Sequence, residues 1–137
     1  MERILGRYSP YIYAILRIVA GFLFVVHGTQ KLFGVPAPKQ PMPLDALMTV
    51  AGGIELVAGL MVILGFFTSI AAFIASGLMA AAYFMAHQPM GALPIQNMGE
   101  LAVILCFVFL YLASRGSGVW SVDSMLHGTP PQAAEPL

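Results

Sequence analysis

Charge is what this chain has least of. Only 9% of its 137 residues are Asp, Glu, Lys or Arg, six acidic and six basic, and the formal net charge is zero. So few charges cannot solvate a globule of this size. The 59% of hydrophobic residues and a mean hydropathy of +0.86 point the same way, to an integral membrane protein. No basic run occurs, which argues against nucleic acid as a partner. There is one cysteine, Cys106, inside an apolar run, so neither an internal disulfide nor a paired redox thiol can form. The N-terminal apolar run lacks a small-x-small cleavage site and is interrupted by Arg17, so it reads as a retained first membrane helix and not a signal peptide. There is no internal repeat and no separate soluble stretch. The expectation is an all-α, polytopic membrane four-helix bundle, one domain over residues 1–137.

Four apolar segments are present. The first helix is expected over 11–33, with Pro10 in its first turn and Gly34 after it, about 34 Å long. VPAPKQPMP, with four prolines, then makes a stiff loop. The second helix is expected over 44–67, with Asp45 near its start, where a negative charge suits the helix dipole. The third, over 70–86, is rich in alanine and is closed by His87; QPMGALPIQ makes the second loop. The fourth, over 97–113, has Asn97 as a candidate N-cap and Glu100 three positions on, a capping arrangement. Residues 114–137 read as a polar, glycine-broken tail with Trp120 as an interfacial anchor and the last ten residues loose. Four crossings put both termini on one side. Arg3, Arg7 and Arg115 lie there, against Lys39 and Asp45 in the first loop, so the termini are expected in the cytoplasm.

The few charges are placed unevenly. In RIVAGFLFVVHGTQKLFG, Arg17 and Lys31 stand almost four turns apart and share a face with Gly21, Phe24 and Gly28, with His27 at its margin. Cations are not turned to lipid, where each costs about 3 kcal/mol, so this face looks inward. In GGIELVAG, Glu55 lies mid-helix among Gly53, Ile54, Leu56 and Val57, and Gly52 and Gly59 give its side of the helix a smooth surface for close contact. By depth, His27, Lys31, Glu55, His87, Asn97 and Glu100 all fall toward the outer leaflet. They form a candidate ligand site, with Lys31 and Glu55 as a natural ion pair. Arg17, toward the other side, is expected to be structural, reaching backbone carbonyls or the 114–123 segment, whose Asp123 is the carboxylate available there. The plainer readings are a snorkelling Lys31, a Glu100 that only caps its helix and an interfacial His87. No HxxxH or ExxH spacing supports a metal, and haem between His27 and His87 is a further alternative.

These pieces together resemble the DoxX family of small bacterial membrane proteins. The resemblance rests on RIVAGFLFVVHGTQKLFG, GGIELVAGLMVILGF, the run ending in His87, NMGELAVILC and GSGVWSVD, and spans about Leu16 to Asp123. The family's polar positions carry over to Arg17, His27, Gly28, Lys31, Glu55, Asn97 and Glu100. The resemblance implies a bacterial inner-membrane subunit of a quinone-linked oxidoreductase system, or a role in redox or thiol stress. The implied ligand is a quinone, held by His27 and Lys31 as donors, with Glu55, Glu100 and His27 moving protons. The chain has no flavin or nucleotide motif and no paired cysteines, so redox work requires a bound quinone, a redox partner protein, or both. The lipid bilayer and further copies of the chain, as a homo-oligomer, complete the expected partners. The rival reading is a non-enzymatic membrane scaffold, carrier or assembly factor.

Overall fold

The computed structural model describes residues 2–38 and 43–128. Among these, every regular element is helical: α1 (Glu2–Leu5), α2 (Ser9–Phe33), α3 (Ala46–Leu64), α4 (Thr68–Ala82), α5 (Glu100–Arg115) and α6 (Val122–His127). Three helical runs, Gly6–Phe33, Ala46–Leu64 and Thr68–Met90, are long and apolar enough to cross a membrane. The protein is therefore a helical membrane protein. At 16 residues α5 is about 24 Å long, short of a hydrocarbon layer of about 30 Å.

The helices pack in chain order, α2 on α3, α3 on α4 and α4 on α5, with α2 and α5 also touching. Phe24 of α2 meets Phe109 of α5 at 4.7 Å between ring centroids. Val62, Ala72, Ala75 and Leu112 complete a fully buried core around them. Alanines on α4 let α5 come close, and the Ser76 hydroxyl donates across to the Cys106 carbonyl at 2.8 Å. Leucine, isoleucine and phenylalanine elsewhere on the helices face outward, as they do in a solvent of lipid tails.

Several expected boundaries move, each for a local reason. The N-terminal polar segment is helical, α1 followed by a 3-10 turn, and runs straight into α2. α3 begins at Ala46 because Asp45 is its N-cap, accepting from the Met48 N–H at 2.7 Å. It ends at Leu64 because Gly65 turns left-handed at φ 68°. α4 starts at Thr68 and loosens after Ala82 into a π-helical stretch, Tyr83–His87. α5 starts at Glu100, not Asn97, and no side chain caps it. The Asn97–Glu100 capping arrangement is thus not formed: Asn97 folds its side chain over its own turn, Oδ1 accepting from the Gly99 N–H at 2.8 Å. The tail contains a short helix, α6, just before the ten residues expected to be loose. Lys39 and residues 129–137 lie outside the described residues.

Candidate functional site

The α2–α3 contact is built from glycines. A Cβ on Gly28 would stand 2.7 Å from the Leu56 nitrogen, and one on Gly59 would stand 2.8 Å from Val25 Cγ2. Gly21 and Gly59 meet one turn pair away from Gly28 and Gly52, so the antiparallel helices touch backbone to backbone over seven residues on each side. That closeness lets a lysine near the end of α2 reach a glutamate inside α3.

Lys31 does so. Its Nζ donates to Oε1 of Glu55 in a charged hydrogen bond, the one salt bridge among the described residues. Instead of running out to water, the lysine turns back along α3. Its side chain keeps 19% exposure, whereas that of Glu55 keeps 1%. The second carboxylate oxygen, Oε2, is buried and has no hydrogen-bond partner among the described residues. An unmatched buried acceptor costs about 1–3 kcal/mol, and more when charged. One end of the pair is thus satisfied and the other is open to a donor.

The other expected site residues do not all join this pair. His27 is half-buried, one turn before Lys31, and its ring makes no hydrogen bond among the described residues. Glu100 is exposed and makes no ion pair among them. His87 and Asn97 instead meet each other. His87 Nδ1 shares a hydrogen bond with the Asn97 carbonyl at 3.0 Å, and the fully buried Asn97 side chain donates to Gly91 O at 2.9 Å and to the Tyr83 hydroxyl at 3.4 Å. The π-helical turn brings Tyr83 round to this group, and Gly99 leaves room for its ring. Nothing in the residue pattern singled out Tyr83, although it stands four positions before His87, within one turn. Among the described residues no three His, Cys, Asp or Glu side chains gather as metal ligands do.

Arg17 lies toward the other end of α2, and its side chain is 0% exposed. Its Nη1 donates to Val62 O and Ile63 O at 3.1 and 3.2 Å, and its Nη2 to Trp120 O and Val119 O at 2.6 and 3.4 Å. The guanidinium thus caps the last turn of α3, the negative end of that helix, and ties it to the loop before α6. Asp123 holds the same junction from outside. It does not touch Arg17; its Oδ1 accepts from the Phe67 N–H at 3.2 Å, its Oδ2 from the Ser117 hydroxyl, and its own N–H donates to Gly65 O at 3.0 Å.

Comparison with known proteins now has a geometry to refer to. The DoxX family model matches residues 12–88, from the first turn of α2 through the π-helical stretch, and so includes Arg17, His27, Lys31, Glu55 and His87. A Haemophilus influenzae protein, named only as uncharacterized, is 42% identical over 126 residues, covering 88% of this chain and 94% of the relative. No solved structure matches.

Proposed function

The chain belongs to the DoxX family, and from that premise we propose that it is a quinone-linked subunit of a membrane redox complex, with Lys31 and Glu55 as its ligand site. The observation that carries this reading is Glu55 Oε2, a buried carboxylate oxygen with no donor among the described residues. A ligand that answers it must bring a hydrogen-bond donor into an apolar setting, and the hydroxyl of a reduced quinone is such a donor. Lys31 holds Oε1 and orients the carboxylate. Oε2 would accept the hydroxyl hydrogen bond and take one of the two protons a quinol gives up, the other going to water, as both electrons leave to a partner oxidoreductase. A partner is needed because the single cysteine gives the chain no dithiol of its own. His27, one turn from Lys31, is the proposed next stop for that proton. Glu100, exposed at the start of α5, has a proton-exchange role with solvent in this reading, and the His87–Asn97 group frames the same end of the molecule.

The proposed setting is the bacterial inner membrane, with four crossings and both termini in the cytoplasm. The test of function is binding of short-chain ubiquinol and ubiquinone to the full-length protein in lipid nanodiscs, by calorimetry. The ubiquinol is expected to bind, and Glu55→Gln to weaken it at least about tenfold, the equivalent of one lost charged hydrogen bond. Lys31→Met with Glu55→Gln in one protein that folds, binds both quinones as well as the parent and supports respiration would overturn the site and leave the scaffold reading.

A further inference from the structure

At the end of the molecule where α2 begins and α5 finishes, a cleft of about 380 Å³ opens between Phe67, Arg115, Ser117, Asp123, Ser124 and His127. It is separate from the Lys31–Glu55 pair and uses none of its residues. Arg115, in the last turn of α5, and His127, in the last turn of α6, bring the basic groups. Asp123 is the one carboxylate in the wall among the described residues, and both its oxygens are already engaged, by the Phe67 N–H and the Ser117 hydroxyl. Arg115 makes no ion pair among the described residues.

The surroundings set the depth of this cleft. Trp120, 60% exposed, tilts against the exposed Tyr11 with ring centroids 5.2 Å apart, a few residues from Arg115 and Asp123. Exposed aromatic pairs of this kind sit at the level of lipid headgroups. Phe67, itself exposed, forms one wall and stacks edge-on with Phe66 at 4.6 Å, an apolar flank beside a basic cleft. A guanidinium at headgroup depth, with an apolar wall next to it, matches a phosphate ester whose other end is hydrocarbon.

We propose that the Arg115–His127 cleft binds the phosphate of an anionic phospholipid headgroup. The phosphate is the shared chemistry, and the experiment separates lipid from free ion. Full-length protein in detergent is titrated with dioleoylphosphatidylglycerol, with dioleoylphosphatidylcholine and with inorganic phosphate as competitor, and adducts are read by native mass spectrometry. The phosphatidylglycerol adduct is expected to exceed that of phosphatidylcholine, and Arg115→Gln to weaken it about fivefold, as loss of one interfacial cation does. His127→Gln is the second variant and lowers the same adduct should Arg115→Gln not fold. Arg7→Gln, an exposed arginine outside the cleft, leaves it unchanged. Equal binding of the two lipids, unchanged binding in both cleft variants, or equal loss in Arg7→Gln overturns the proposal. Displacement of phosphatidylglycerol by millimolar inorganic phosphate overturns it in favour of a free-ion site.

Discussion

Gly28 and Gly52 face each other across the α2–α3 contact so closely that a Cβ on Gly28 would stand 2.9 Å from the Gly52 carbonyl oxygen. The obstacle is backbone, which cannot rotate aside as a side chain can. Gly28→Ala is therefore expected to push the helices apart, lower the melting temperature and separate Lys31 from Glu55. Gly53 and Gly77 have nothing within 4 Å of an added Cβ. Alanine there is expected to be neutral or to add up to about 1 kcal/mol through helix propensity. Thermal unfolding of the three variants in one detergent checks this, and a Gly28→Ala protein as stable as Gly53→Ala would refute the close contact.

The Lys31–Glu55 pair makes a prediction about non-additivity. Removing one partner leaves the other charge buried, at about 3–5 kcal/mol. Lys31→Met is expected near the upper end, because the Glu55 it leaves behind has almost no contact with water, and Glu55→Gln nearer the lower end, because Lys31 keeps some. The Lys31→Met, Glu55→Gln double variant is expected to be more stable than Lys31→Met alone, since a buried pair is often no better than apolar packing. A double-mutant cycle on melting gives the coupling directly. Strict additivity would mean the two side chains do not interact in the bilayer.

How much of this was legible in the sequence depends on distance along the chain. The inward face of α2 followed from turn arithmetic, because Arg17, Gly21, Phe24, Gly28 and Lys31 recur on one side of a helix. The meeting of Lys31 with Glu55 followed from the cost of charge in hydrocarbon together with facing glycines. The expectation that all six outer polar residues share one site rests on depth alone. Depth locates a residue along the membrane normal but not around the bundle, and His87 and Asn97 face each other while Glu100 faces out. The Asn97–Glu100 cap failed for a local reason: an Asn can close its own turn two residues on, as it does at Gly99, and that competes with capping. The π-helical turn at Tyr83 has no simple residue pattern, so the sequence does not mark its tyrosine.

Asp123 predicts a pH dependence. Burial raises its pKa, but the Ser117 hydroxyl, the Phe67 and Thr68 N–H groups and the charge of His127 outweigh burial and hold it below the usual carboxylate value. A folded pKa below the unfolded one means the carboxylate contributes stability above the ordinary value of about 3.9, and loses it as pH falls through the depressed one. Melting temperature is expected to hold on the neutral side of that range and fall below it. Asp123→Asn should flatten that part of the profile and lower stability at pH 7. A variant whose acid limb matches the parent's would assign the dependence to another group.

Arg17 gives the last prediction, because its four acceptors come from two places far apart in the chain. Val62 and Ile63 end α3, and Val119 and Trp120 precede α6. Gly65 is part of the same device, since a Cβ there would run into Arg17 Nη1. Arg17→Ala strands buried carbonyls at about 1–3 kcal/mol each, so a loss of about 3 kcal/mol or more is expected. The loss should be local as well as global. Hydrogen exchange at 121–126 is expected to quicken, because the guanidinium no longer holds the preceding loop. Arg17→Lys should recover only part of this: an ammonium is a point charge with three donors, whereas the planar guanidinium spans both pairs of carbonyls at once. If Arg17 acts only as this clasp, the folded fraction of Arg17→Lys binds quinol as the parent does. Unchanged melting and exchange together with lost binding would move Arg17 out of the framework and into the ligand site.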